Sequence, residues 1–258
     1  MTSTPLPHNN RTQQLAHTFR VVQLTDLHLL ADAKARYRGA DTRAHFLTAL
    51  ALTQRLKPNL LLLTGDLAED EQLATYQWLY KQLTASGLAW QWLPGNHDNP
   101  SLMRQFSPSH FHQQTPHWQI VGLNSHLPNH TQGRLAPQEL ALLQQALNNP
   151  KPLLLALHHP PVSVNSQWKD AIALENAAEF WAKLKHQPQA RLVVFGHVHQ
   201  AFASKNYHSH TLATPASSVQ FTADSNTFAI NQSALPALRL IRLKPAGRYS
   251  TRLIYFKI

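Results

Sequence analysis

Five short apolar runs each stop at a cluster of polar side chains, and this recurring arrangement restricts the fold more than anything else in the chain. Phe19 to Thr25 runs into Asp26-Leu27-His28, Leu60 to Thr64 into Gly65-Asp66, and Ala89 to Leu93 into Gly95-Asn96-His97-Asp98. Leu153 to Leu157 runs into His158-His159-Pro160-Pro161, and Arg191 to Phe195 into Gly196-His197-Val198-His199. Leu60 to Thr64 in particular is a short apolar run of the kind found in sheet strands covered on both faces. Segments of helical spacing lie between the runs. Asp41 can cap a helix through about Leu56, with Phe46, Leu47, Leu50 and Ala51 as its apolar face and Pro58 beyond its end. Leu73, Tyr76, Tyr80 and Leu83 predict an amphipathic helix from Asp70 to Ala85 with its aromatics in the core. Pro137 opens a helix carrying Leu140, Leu143 and Leu147 on one face, and Glu175 to His186 predicts another that buries Ala177, Phe180, Trp181 and Leu184. Strands alternating with helices, and polar residues at each strand's carboxyl end, describe an α/β sheet that binds ligands along that edge.

The remaining segments say less. Trp118 to Leu123 reads as a strand ending at Asn124-Ser125-His126, and the polar segment 128–134 as a plain surface loop in preference to a pocket wall. Beyond Gln200 the alternation ceases. Tyr207 to Ala213, Ser218 to Phe221, Leu238 to Leu243 and Tyr249 to Ile258 predict antiparallel strands at the end of the chain, with Arg252 to Phe256 inside a two-layer β core. Residues 1–18 are expected to be a flexible tail and residues 19–258 a single domain.

The chain has 17 histidines and no cysteine, so a transition-metal site has to be built from His, Asn, Asp and Glu, and no disulfide framework is available. An amide, an imidazole and a carboxylate in sequence at Asn96, His97 and Asp98 are hard to account for as packing. Each would need its own partner, because a buried polar group left unsatisfied costs about 1 to 3 kcal/mol. A metal and a phosphate would satisfy all three. In extended backbone residues i and i+2 point the same way, so Asp26 with His28, and His197 with His199, are expected to converge. The formal net charge of +10 attracts anions without choosing among them, and the Lys and Arg residues form no run typical of a nucleic-acid patch. No apolar run approaches the roughly 18 residues of a membrane span, and Met1 to Thr18 lacks the apolar core of a signal peptide, so a cytoplasmic protein is expected.

Taken in order, Asp26-x-His28, Gly65-Asp66, Gly95-Asn96-His97-Asp98, His158-x-Pro160 and Gly196-His197-x-His199 resemble the five motif blocks of the calcineurin-like metallophosphoesterases. The resemblance spans residues 20 to about 221, and its third and fifth blocks are the most specific. It implies a four-layer α/β/β/α sandwich, two mixed sheets packed face to face with helices outside. It also implies a ligand set. Asp26, His28, Asp66 and His199 would hold one metal, and Asp66, Asn96, His158 and His197 a second, with Asp66 bridging. His97 would meet the phosphate together with Asn96, Asp98 would orient His97, and His159 would stand behind the ligands. Two divalent or trivalent ions are implied, and a first shell of oxygen and nitrogen favours Fe, Mn or Zn over Ca.

The segments Gly39-Ala40-Asp41-Thr42 and Leu212 to Phe221 further resemble the bacterial class III cyclic nucleotide phosphodiesterases, with Asp41 where that branch is expected to have Asn. The resemblance thus implies hydrolysis of 3′,5′-cyclic AMP to 5′-AMP by a hydroxide held between the metals, on a small anionic diester. A homodimer is expected, because members of the branch are often dimers. The alternatives are a phosphodiesterase of the same fold for 2′,3′-cyclic nucleotides, phospholipid-derived diesters or nucleic acid, and a non-catalytic scaffold. A nuclease is disfavoured because no DNA-binding segment is appended, and a scaffold because every ligand and His97 are retained.

Overall fold

Leu60 to Leu63 shows how the layers are built: Leu61 and Leu63 pack into one apolar cluster while Leu60 and Leu62 pack into another, as the alternation of a strand dictates. The structure is a computed structural model and describes residues 18–258; the tail expected at the N-terminus lies, but for its last residue, outside the described residues. The elements in chain order are β1 (Phe19–Leu24), α1 (Thr42–Leu56), β2 (Leu60–Thr64), α2 (Leu73–Ala85), β3 (Trp90–Leu93), α3 (Pro100–Met103), β4 (Phe111–Gln114) and β5 (Gln119–Gly122). They continue with α4 (Pro137–Leu147), β6 (Leu153–Ala156), α5 (Gln167–Asp170), α6 (Ala177–Leu184), β7 (Ala190–Phe195), β8 (Phe202–Asn206), β9 (Ser209–Ala213), β10 (Ala237–Leu243) and β11 (Tyr249–Tyr255).

Two mixed sheets result, one in the order β11-β10-β1-β2-β3 and the other in the order β4-β5-β6-β7-β9-β8. Their inner faces meet through Val21, Leu62 and Ile241 from the first sheet and Ile120, Leu154 and Val194 from the second. Outside the first sheet lie α1 and α2, packed through Phe46, Leu50, Tyr76 and Leu83. Outside the second lie α4 and α6, packed through Leu143, Leu147, Phe180 and Leu184. The four-layer α/β/β/α sandwich is therefore present.

Several local expectations differ from the structure. In α1 the buried face is Thr42, Phe46, Ala49, Leu50 and Thr53, while Leu47 and Ala51 point to solvent. In α2 it is Thr75, Tyr76, Leu79 and Leu83, with Leu73 and Tyr80 largely exposed. Threonines cover the sheet where leucines were expected, which apolar spacing alone cannot reveal. The expected antiparallel set at the chain end is divided between the sheets: β9 pairs parallel with β7, and β10 pairs antiparallel with β1. Ser218 to Phe221 forms only an isolated bridge from Phe221 to Ile230. The strand over Arg252 to Phe256 lies at a sheet edge with Tyr255 half exposed, because only β10 covers it within the sheet. β4 and β8 are further edge strands, and their polar sequences carry no apolar run.

Beneath the carboxyl ends of the central strands the two sheets are joined by polar groups. Gln23 donates to Thr64 Oγ1 (2.9 Å) and to the Phe195 carbonyl (3.2 Å), Thr214 Oγ1 donates to Gln23 (2.6 Å), and buried Arg239 donates to Thr214 Oγ1 (3.0 Å) and the Ala213 carbonyl (2.7 Å). Each member is satisfied, so this network fixes the offset of one sheet on the other. That offset brings together the strand ends where the motifs lie.

Candidate metal centre and active site

Asp26, His28, Asp66 and Asn96 follow β1, β2 and β3 of the first sheet, while His158, His197 and His199 follow β6 and β7 of the second. The cluster therefore straddles the sandwich. Asp26, His28, Asp66 and His199 present ligand atoms within 4.8 Å of one another, all buried, and His158, His159 and His197 form a second such group. A Cβ on Gly65 would run into the His158 ring, and one on Gly196 into Thr25 Oγ1, so glycine at these strand ends is what lets the two sheets' motifs touch.

The residues converge by a route different from the expected extended geometry. Asp26, His28, Asp66, His197 and His199 all have left-handed backbone, with φ of 52°, 46°, 50°, 68° and 51°. Each side chain is turned inward by a tight local turn immediately beyond its strand. Such conformations cost of order 1 to 3 kcal/mol each and persist where surrounding structure overrides local preference. Backbone amides supply part of that override: His197 N–H donates to Asp26 Oδ1 (3.0 Å), and His97 N–H to Asp66 Oδ1 (3.0 Å).

Ring orientations are set from behind. His158 Nδ1 lies 2.8 Å from the Thr64 carbonyl, His199 Nδ1 2.8 Å from the Val219 carbonyl, and His28 Nδ1 2.7 Å from Glu69 Oε2. In the neutral ring each contact engages Nδ1 as the donor and turns Nε2 toward the centre, the arrangement expected of imidazoles aimed at a metal. His28 Nε2 and His199 Nε2 then face each other at 3.1 Å. Burial holds His199 down at about 4 despite Asp26 beside it, so that ring is neutral. A metal ion bound by both nitrogens would account for their close approach. Two nitrogens each about 2.0 to 2.1 Å from one ion would stand roughly 3 to 3.5 Å apart, which fits this pair and the 3.3 Å between His158 Nε2 and His197 Nδ1. Asp66 Oδ2 lies 3.6 Å from His28 Nε2 and 3.4 Å from His158 Nε2, between the two groups. Asn96 Oδ1 is buried with no hydrogen-bond partner among the described residues, an acceptor that a metal would satisfy. The donor set fits hard or borderline cations. His159 belongs to the second group by distance, with Nδ1 2.9 Å from Ser125 Oγ and Nε2 buried without a partner among the described residues.

His97 sits at the mouth, part exposed, with Nδ1 3.1 Å from Glu69 Oε2. Burial opposes its charge, but the Glu69 contact and the charges of Asp66 and Glu69 raise it to about 9. Burial likewise opposes ionisation of Glu69, yet its contacts with His28 and His97 hold it down at about 2. The expected partnership of Asp98 with His97 is corrected here: the carboxylate on His97 is Glu69. Asp98 is wholly buried and accepts from the Gly95, Leu67 and Ala68 N–H groups (2.9, 3.0 and 3.0 Å) and from the Tyr76 hydroxyl (3.1 Å). These donors absorb its lone pairs, so it holds the loop that carries His97 and leaves the ring to Glu69. Burial and the Asp66 charge still push Asp98 up to about 6.

Glu69 went unread in the sequence because nothing there links it to His28 and His97; its position three residues after Asp66 was the one available cue. Tyr37 and Phe221 were also missed, and they stack on His28 (4.2 Å between centroids) and His199 (4.0 Å). Glu69→Gln should weaken metal binding about 10- to 100-fold, the usual effect of losing a carboxylate behind a ligating imidazole. A metal titration read by mass spectrometry measures this, and wild-type affinity would remove Glu69 from the site.

A cavity of about 760 Å³ opens beside Asn96, within the roughly 300 to 1,000 Å³ usual for small-ligand sites. Asn124, His126, Arg104 and Arg134 line it, as do Asn129 and Thr131 from the loop over 128–134, which is thus a pocket wall and not a plain surface loop.

A four-layer sandwich with imidazoles and carboxylates gathered at the carboxyl edges of both sheets is the architecture of a metal-binding hydrolase. The chain belongs to the calcineurin-like phosphoesterase family, whose model matches residues 19–201. It is 38% identical over 244 residues to a 3′,5′-cyclic-nucleotide phosphodiesterase of Nostoc sp., covering 90% of this chain and 91% of that one. It is 34% identical over 240 residues to the 3′,5′-cyclic adenosine monophosphate phosphodiesterase CpdA of Pseudomonas aeruginosa, covering 90% and 88%. A dimetal phosphatase from Danio rerio has a similar fold, with a TM-score of 0.67 at 13% identity, covering 93% of this chain and 99% of that one. Among the described residues no helix is long and apolar enough to cross a membrane.

Proposed function

We propose that the protein is a dinuclear phosphodiesterase that hydrolyses 3′,5′-cyclic AMP to 5′-AMP. The observation that carries the reading is the position of Asp66 Oδ2, between His28 Nε2 at 3.6 Å and His158 Nε2 at 3.4 Å, which supports its role as the common ligand of two adjoining sites. Asp26, His28, Asp66 and His199 would hold one ion, and Asp66, Asn96, His158 and His197 the other. Iron, manganese or zinc suits these donors. When bound, such a pair supplies Lewis acidity, polarising phosphoryl oxygens and lowering the pKa of water.

The chain's own groups do the rest. Asn96 and the His97 ring stand where the bound phosphodiester meets the site. With Nδ1 engaged by Glu69, the proton on His97 Nε2 faces the substrate. That proton is delivered to O3′ as the P–O3′ bond breaks, leaving the phosphate on O5′. The cavity beside Asn96 receives the nucleoside. Similarity to the Nostoc sp. and Pseudomonas aeruginosa phosphodiesterases over nine-tenths of this chain supports the choice of diester.

Protein reconstituted in turn with Mn, Fe and Zn should be assayed on cyclic AMP, cyclic GMP, 2′,3′-cyclic AMP, an aryl diester and an aryl monoester. Cyclic AMP should be turned over with the highest kcat/KM. Cleavage of the aryl diester with cyclic AMP untouched would remove the substrate and keep the chemistry, whereas preference for the monoester would overturn the reaction class.

A further inference from the structure

Lys169 lies on the short helix α5, only 5% exposed, and its ammonium rests over the faces of Trp168 (4.7 Å to the centroid) and Phe221 (5.1 Å). Among the described residues no carboxylate, carbonyl or hydroxyl accepts a hydrogen bond from it. Burying an ammonium without an acceptor is costly, and aromatic faces recover only part of the lost hydration. Trp168 Nε1, on the neighbouring residue, is a buried donor without a partner among the described residues. Folding alone gives no reason to hold that indole donor and a nearly buried ammonium side by side.

The location gives one. Phe221 stacks on the ring of His199, nearly parallel at 13°, so at most one aromatic ring separates the Lys169 ammonium from that imidazole. Burial brings Lys169 down to about 8, although Asp26 and Asp66 both favour its charged form. A cation next to a centre that itself binds cations is repelled, unless an anion lies between them.

We propose that Lys169 is a substrate-binding residue whose ammonium accepts the charge of a non-bridging phosphoryl oxygen, with Trp168 Nε1 as a neighbouring donor. The proposal rests on the reading of the site as a phosphoesterase centre. It adds to that centre a protein cation that none of the five motif blocks contains.

The test uses metal-reconstituted wild-type protein, Lys169→Met and Lys169→Arg, with inorganic phosphate as the probe. Calorimetry should find phosphate bound at least about tenfold more weakly by Lys169→Met, with part of the affinity restored in Lys169→Arg. The loss should appear mainly in KM for the diester, with metal content unchanged. Thermal melting gives a readout that a packing role would not produce: without phosphate Lys169→Met should melt no lower than wild type, because methionine fills the space without the buried charge. Phosphate should raise the melting temperature of wild type more than that of the variant. Wild-type phosphate affinity in Lys169→Met, in a background where wild type hydrolyses phosphoesters, would overturn the role of Lys169 alone, as would a lower melting temperature with unchanged affinity. A wild-type protein that hydrolyses none of the esters would overturn the reading of the site, and this role with it.

Discussion

Asp66→Asn should lower kcat/KM by at least about a thousandfold, the several kcal/mol of transition-state stabilisation that a metal pair supplies. The substitution keeps side-chain size and tolerance of left-handed backbone, so its effect is on charge. Asp66 Oδ2 faces both His28 and His158, and Oδ1 anchors the backbone of His97. An amide has one oxygen, which can face the two histidines or accept from the His97 N–H but not both, and it brings no negative charge to offset two cations. Bound metal, measured by mass spectrometry after dialysis, should fall together with turnover. Full metal content with full turnover in Asp66→Asn would refute the shared-ligand reading.

The second large effect should come from His97→Ala, and here metal and activity should separate. His97 is part exposed where Asp26, His28, Asp66, His158, His197 and His199 are buried, and its Nδ1 is occupied by Glu69. Removing a positioned proton donor typically costs about 10² to 10⁴ in rate. Turnover of cyclic AMP should fall in that range with metal content unchanged. A diester with a good leaving group, which needs little protonation, should be much less affected. His28, Glu69 and His97 are also close enough together to hold an ion. Loss of a metal from His97→Ala would therefore make His97 a ligand and overturn its assignment as the acid.

The two effects bear on what could be read from the chain before its structure was seen. Leu60–Thr64 and Ala190–Phe195 were legible because a strand buried on both faces needs an unbroken apolar run, and their ends marked the ligands. The faces of α1 and α2 were less so. Thr42, Thr53 and Thr75 are buried there, and a threonine whose hydroxyl finds an acceptor packs as well as an apolar residue, as Thr53 does on the Ala49 carbonyl at 2.8 Å. β4 and β8 escaped notice because an edge strand needs little apolar surface. At the site, spacing identified residues that lie close in sequence, and the resemblance supplied the rest of the ligand set. The contacts of Glu69 with His28 and His97 come from the folding of one loop over another, and no spacing encodes them. Asp98 was assigned to its neighbour in sequence, whereas backbone donors surround it.

The left-handed turns at Asp26, His28, Asp66, His197 and His199 bear on where affinity for an ion resides. Isolated in water, a peptide such as Gly196-His197-Val198-His199 would abandon that backbone for extended or right-handed conformations, and its imidazoles would diverge. The motif blocks are therefore not portable. Transplanted singly onto another scaffold they would carry the ligand atoms without the geometry, because the coordinating arrangement is a product of two sheets held in register and not of any one segment of the chain.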